Sequence, residues 1–371
     1  MPVGPRQRVA TVGVAAVATA LGLAACSSSG SSSAASGSSA TGGASSSAST
    51  STVSGTIKAA GSTFQTNFQQ TAISAFKTVD PNVTVDYDPV GSGTGRSDLY
   101  SNTVLFAGSD SPVPAKEASE VPAGKTILYF PVQIGPIAVA YNLSGITGLK
   151  LDSTVLAGIF QGQITTWNNS AIKALNPSAN LPSSTITLAV RSDSSGTTAN
   201  FSQYLVDAAG SAWKLGTGST IKWPSTARAG DGGSGLASIV KSTPGSIGYV
   251  DFSTATASGL QSASIKNSAG DFVAPSTASA TAAASHVTVK PNLTFSTADE
   301  PGAASYPITY QSWDLVYSVQ PSAADVALLK AYLGYLLSSA GQALITPLNL
   351  SPLPASIDSA AVAQLSKITS M

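Results

Sequence analysis

The sequence predicts an α/β protein folded as two lobes, and three observations lead there. Short apolar strands alternate with Gly/Ser/Thr loops and helical patterns along most of the chain. At 371 residues, 43% of them apolar, the chain is longer than a single small core needs. Two apolar stretches, Phe130 to Tyr141 and Tyr306 to Ser318, read as extended crossings between lobes, one out and one back.

The elements follow in order. Arg6 and Arg8 form a short basic region ahead of an uninterrupted small apolar run, Val9 to Leu23. This reads as a targeting segment over residues 1–25, too short for a membrane span. It ends in Leu23-Ala24-Ala25-Cys26, which resembles a lipobox with Cys26 as the lipidated mature N-terminus; the alternative is an ordinary signal peptide with a chance cysteine. Residues 26–54 are nearly all Ser, Ala, Gly and Thr and read as a flexible tether. Gly55 to Ala60 reads as a strand and Gln65 to Val79 as a helix with Phe68, Ala72, Ile73 and Phe76 at helical spacing. Val83 to Val90 alternates as a strand, Arg96 to Asn102 reads as a short helix and Val104 to Ala107 as a strand.

Further along, Ser153 to Phe160 is a helix capped by Asp152 or Ser153. Thr185 to Val190 is a buried strand leading to a helix over Thr198 to Ala208, and Ser246 to Phe252 is again strand-like. Ser276 to Ser285 is low-complexity, a surface loop or an irregular helix. Ala323 to Ser338 is expected as an amphipathic helix with Val326, Leu329, Tyr332, Leu333 and Leu336 on one side.

Three segments share one design: a strand, a Gly/Ser/Thr loop, then a helix start. They are Gly61-Ser62-Thr63-Phe64, Gly91-Ser92-Gly93-Thr94-Gly95 and Ser194-Ser195-Gly196-Thr197. A helix N-terminus offers free N–H groups and partial positive charge, glycine permits close approach, and hydroxyls add donors, which together suit an oxyanion. Any one loop reads first as a simple helix cap; three in one chain favour a site. Arg191 precedes the third loop, and its fork matches two oxygens of a tetrahedral anion, with Asp193 placed to hold it. The alternative is a surface ion pair. Asp110, either a turn residue or a ligand, would repel an anion lacking a proton and accept from one that carries it.

On these residues the chain resembles the phosphate-binding proteins of bacterial phosphate ABC importers, from about Gly55 to the C-terminus. The segments carrying the resemblance are Gly61 to Phe64, Val90-Gly91-Ser92, Phe106 to Pro112, and Arg191 with Ser195-Gly196-Thr197. Gly216 to Pro224 and Pro244 to Val250 are also family-like. The resemblance implies a type II periplasmic-binding-protein fold, with residues 55–133 and 307–371 in lobe one and 134–306 in lobe two. It implies phosphate contacts from Thr63, Phe64, Ser92 and Asp110 on one side, and from Arg191, Ser195, Gly196 and Thr197 on the other. It further implies a monomer, lipid-anchored on the outer face of the cytoplasmic membrane, that delivers phosphate to permease subunits. The chain departs from the family pattern at Gln65 and at Thr94-Gly95-Arg96, where Arg96 reads either as a cation at the cleft mouth or as a solvent-facing side chain.

Composition limits the other classes. Charged residues are only 10% and the net charge is zero, which argues against nucleic acid. Without Arg6 and Arg8, 16 basic residues face 18 acidic ones, a net −2, so an anion must be held by local groups. Cys26 and His286 stand alone in type, so an internal disulfide is excluded, no zinc set exists, and no metal or organic cofactor is implied. A serine hydrolase would need His286 as base, beside a low-complexity stretch, and no Gly-x-Ser-x-Gly elbow or nucleotide phosphate loop is present. Sulfate, molybdate or a phosphorylated small molecule remain alternatives to phosphate, and an adhesion or carbohydrate-binding module is a further class.

Overall fold

A computed structural model describes residues 53–371. The targeting segment, Cys26 and nearly all of the tether lie outside these residues. β1 (Gly55–Gly61) and β2 (Val83–Asp88) flank helix α1 (Thr66–Val79) and pair in parallel. Helix α2 (Ser92–Tyr100) then leads to β3 (Phe106–Ser109), which pairs with β1. β4 (Ile127–Tyr141) is one unbroken strand, buried along almost all its length.

The second half of the sheet is β5 (Thr187–Arg191), β6 (Arg228–Gly230) and β7 (Ser246–Asp251), interleaved with helices α4 (Gly196–Ala209) and α5 (Gly232–Ser242). Helix α3 (Ser153–Phe160) precedes them, capped by Asp152, which accepts from the Val155 amide at 2.8 Å. Helix α6 (Thr277–Ala284) and strand β8 (Thr309–Tyr317) follow, and helix α7 (Ala323–Leu336) covers the start of β1. The sheet runs β2-β1-β3-β8-β4-β7-β5-β6.

β4 belongs to both halves. Ile127 to Pro136 pairs with β8, and Ile137 to Tyr141 pairs with β7. The second crossing lies alongside, where Ile137 donates to the Ile308 carbonyl at 2.7 Å. The fold is thus two-lobed, with the cleft between the ends of the two half-sheets. Among the described residues, no helix is long and apolar enough to cross a membrane.

Three elements differ from expectation. α2 starts at Ser92, not Arg96: Gly91 sits at φ +92, and the poor helix formers Gly93 and Gly95 are tolerated because neighbouring backbone and side chains leave no room for a Cβ at either. Residues 277–284 form a regular helix, closed by a capping box between Ser276 and Ser279, whose buried face is Ala280, Ala283 and Ala284. On α7, Leu328 is buried and Val326 only half-buried, because the helix packs over a wider face than one stripe.

Candidate functional site

Asp110 lies just beyond β3 and is 1% exposed. Ser62 donates to its Oδ1 at 2.5 Å and Ser312, on β8, to the same oxygen at 2.6 Å. Each hydroxyl also accepts from a group that can only donate: Ser62 from the Phe64 amide at 3.1 Å, Ser312 from Gln65 Nε2 at 2.8 Å. The Ser62 proton is therefore turned to Oδ1, and the Ser312 proton has Oδ1 as much the nearer of its two acceptors, the Ser109 carbonyl standing at 3.4 Å. Oδ2 has only Ser92 Oγ at 3.4 Å, and that oxygen itself accepts from the Asp110 amide. One carboxylate oxygen is saturated while the other faces the opposite lobe.

The opposite lobe presents the N-terminus of α4. Ser195 caps it, accepting from the Thr198 amide at 3.1 Å. Gly196 lies so close to Asp110 that a Cβ there would stand 2.6 Å from Oδ2 and 2.7 Å from the Asp110 Cβ. The positive end of the helix is thereby set against the open oxygen. Asn200, one turn on, donates to the Asp110 carbonyl at 2.7 Å, and Gly93 donates to the Ser194 carbonyl at 2.9 Å. These bonds join the lobes around the site.

Arg191 ends β5 and is nearly buried. Asp193 holds it through both oxygens, with Nε at 2.6 Å from Oδ1 and Nη2 on Oδ2. Asp193 also accepts from the Gly232 amide at 3.1 Å, anchoring the pair to the start of α5. Burial pushes the Asp110 carboxyl up to about 6, while the bonds from Ser312 and Ser62 and the charge of Arg191 restrain the rise. Above that pH Asp110 is a carboxylate.

The structure thus gathers Ser92, Asp110 and Gly196 at one point, with Arg191 and Asp193 paired nearby. Thr197 is buried in the first turn of α4. Phe64 stacks on Tyr310 with ring centroids 4.1 Å apart, and its amide is bonded to Ser62. The Ser195 amide donates to the Ser219 carbonyl at 2.9 Å, which puts the Gly216-to-Thr220 segment behind the third loop. Thr63 touches none of the Asp110 shell; its methyl faces Gly232 across the cleft.

Sequence reasoning missed Ser62, Ser312 and Asn200 as partners of Asp110. Ser62 stood inside a recognised loop. Ser312 and Asn200 arrive from elements 202 and 90 residues away, and no local signal marks them. Arg96 matches neither of its two expected readings. It is fully buried, forked onto Glu117 at 2.7 and 2.9 Å, and its Nη1 reaches Ser109 at 3.0 Å and Ser111 at 3.3 Å. It clamps both neighbours of Asp110. Beyond Ser111 a groove of about 790 Å³ opens between Pro112 and Gln203, with Lys116, Asn200 and Lys290 among its lining residues. Among the described residues, no three His, Cys, Asp or Glu groups cluster as metal ligands.

Comparison with known proteins agrees with this architecture. Residues 46–340 match the family model of the PBP superfamily domain. Phosphate-binding protein PstS 3 of Mycobacterium leprae (strain TN) is 38% identical over 289 residues, covering 75% of this chain and 78% of that one. Phosphate-binding protein PstS of Pasteurella multocida (strain Pm70) is 37% identical over 272 residues, covering 72% and 77%. Among solved structures, a periplasmic phosphate-binding protein, PfluDING, with bound phosphate superposes with TM-score 0.70 at 21% identity, over 84% of this chain and 94% of its own. A phosphate-bound substrate-binding protein from Clostridium perfringens superposes with TM-score 0.59 at 17% identity, over 81% and 100%. With a matched domain over most of its length and curated relatives at this identity, the chain belongs to the PstS family of two-lobed, type II periplasmic binding proteins.

Proposed function

We propose that the protein binds inorganic phosphate between its lobes and delivers it to an ABC importer. The observation that carries this is Asp110: buried, with two hydroxyls saturating Oδ1, and with Oδ2 left as an acceptor beside the N-terminus of α4. Phosphate near neutral pH carries a P–OH proton to give to Oδ2, whereas sulfate has none and would leave like charge unpaired in a dry site. Arg191, held by Asp193, supplies the compensating cation; Thr63, Ser92, Ser195 and Thr197 would supply hydroxyl donors and Gly196 and Thr197 backbone ones, while Phe64, whose amide is held by Ser62 here, would line the site and turn that amide to the anion only on binding. Anion bridging the lobes favours the closed form, because only that form makes both sets of contacts.

Lobe one would comprise residues 55–133 and 307–371 and lobe two residues 134–306, with 134–136, which still pair with β8, belonging to the crossing. The relatives are named as phosphate-binding proteins and one solved neighbour as periplasmic, which supports the reading that this chain would act outside the cytoplasmic membrane, as a monomer. Cys26 would hold it by a lipid, residues 26–54 would tether it, and permease subunits would receive the closed form. Loss of membrane retention and of metabolic palmitate labelling in Cys26→Ala tests the anchor; labelling that persists would exclude Cys26 as the acceptor.

Isothermal titration with phosphate, sulfate and arsenate tests the ligand. Phosphate and protonated arsenate are expected to compete, with sulfate weaker by about 10⁴-fold. Equal sulfate binding at neutral pH would overturn the assignment of Asp110. Asp110→Asn, which turns an acceptor into a donor, is expected to narrow the gap by about tenfold or more. The pH dependence has a definite sign. The carboxyl is raised to about 6, so it is ionised above that pH and protonated below it. Sulfate competition is therefore expected to appear as pH falls through 6.

A further inference from the structure

β8 carries a second buried carboxyl on the same face as Ser312. Two residues on, Asp314 is fully buried, and the alternation of a strand sets both side chains toward α1. A hydrogen-bonded chain joins them. Tyr332, on α7, donates to Gln69 Oε1 at 2.6 Å. Gln69 Nε2 donates to Gln65 Oε1 at 2.9 Å and to both Asp314 oxygens at 3.3 and 3.4 Å. Gln65 Nε2 donates to Ser312 Oγ, and Ser312 to Asp110 Oδ1. Every donor along the path is engaged, so the direction of the Ser312 hydroxyl depends on groups that also contact Asp314.

The groups facing Asp314 are neutral. They are Gln65 and Gln69 from the α1 side, Tyr332 from α7 and Tyr87 from β2, while its strand neighbours across the ladder are Phe130 and Gly108. Tyr87 feels the charge of both Asp314 and Asp110 and donates to the Ser62 carbonyl at 2.8 Å. The ion pairs among the described residues, Arg96 with Glu117 and Arg191 with Asp193, include no cation for Asp314.

We propose that Asp314 is a positioning residue that works at one remove from the anion: neutral, it leaves Asp110 as the sole buried negative charge of lobe one's site; ionised, it weakens anion binding. This rests on the phosphate reading above. The step is simple: the Asp314 proton leaves to bulk water, and no bond to the anion forms or breaks. Burial pushes this carboxyl up to about 8, with bonds from Gln65 and Gln69 as the restraining influence. Because the folded-state value is raised, its contribution to stability is full below the ordinary carboxylate range and is lost as pH rises through 8. By linkage, bound anion must hold the Asp314 proton to higher pH.

The test is phosphate titration calorimetry on the full chain from about pH 7 to about pH 9.5, below the ordinary range of Tyr and Lys. Wild type is expected to lose affinity on the alkaline side by about fivefold or more, while the ratio of affinities across that range flattens in Asp314→Asn. Phosphate's own ionisation is common to both proteins and cancels in the comparison. Superimposable profiles would overturn the proposal. Carbon-13 spectra of carboxyl-labelled aspartate in the wild type decide the case if the variant does not fold. One carboxyl should titrate near 8 and move to higher pH with phosphate; if none titrates above neutrality, the proposal is refuted. Phosphate failing to bind at any pH would sink the functional reading as well, whereas binding with a flat alkaline limb would sink this inference alone.

Discussion

Gly196→Ala is expected to weaken phosphate binding by about a hundredfold or more while leaving the unliganded protein folded. The methyl has no space in the closed form: it would overlap Ser92 Oγ and stand 2.6 Å from Asp110 Oδ2. Backbone of both lobes must then part by a fraction of an ångström to an ångström, and misplacement of that size around a reacting or binding group costs about 10²-fold. Because Gly196 is the first residue of α4, alanine suits the local helix, and melting temperature without phosphate should change little. Calorimetry gives the affinity, and thermal melting with and without phosphate separates binding from folding. Wild-type affinity in this variant would mean that the lobes do not close on Asp110 as described.

Glu117→Ala should destabilise the fold by about 3–5 kcal/mol, seen as a melting temperature lower by roughly 5–10 °C. Arg96 would be left fully buried with its partner removed, and the desolvated guanidinium, not the lost attraction, is the source of the cost. Replacing both residues by leucine should recover much of the loss, since a buried ion pair is often matched by apolar packing. A variant with the single Glu117→Ala change and an unaltered denaturation midpoint would show that Arg96 escapes to solvent. The consequence for the site is specific. Arg96 holds Ser109 and Ser111, so phosphate affinity should fall even where the folded fraction is complete.

Much of the site was legible because its chemistry is local. Gly91-Ser92, Ser195-Gly196 and Arg191 with Asp193 lie in short segments where turn, cap and charge sit side by side. Asp110 could be singled out by a sign argument alone, an acid placed where an anion must bind. The hydroxyls that decide which of its oxygens stays open could not be singled out, because Ser312 is one polar residue in a buried strand and only the register of β8 against β3 brings it near. Arg96 was misread for a related reason. A charged side chain in a Gly-rich loop looks exposed until Glu117, 21 residues on, is seen to bury it. In the fold, α2 was read four residues short because glycines there signal a loop by propensity, and tertiary packing overrode that preference. The low-complexity run at 277–284 gave no periodicity to read, since alanine on every face leaves helix and loop alike in pattern.

β4 passes from one half-sheet to the other without a joint. It pairs with β8 up to Pro136 and with β7 from Ile137, and two prolines, Pro131 and Pro136, already lack ladder donors in that stretch. A swing of the lobes therefore has no slack linker in which to swivel, and it must be taken up as curvature of a shared ribbon. Such a part behaves as a leaf spring whose return force is built into the strand, and the register shift opposite Ser312 and Trp313, where Val132 is passed over, is the point at which it already bends.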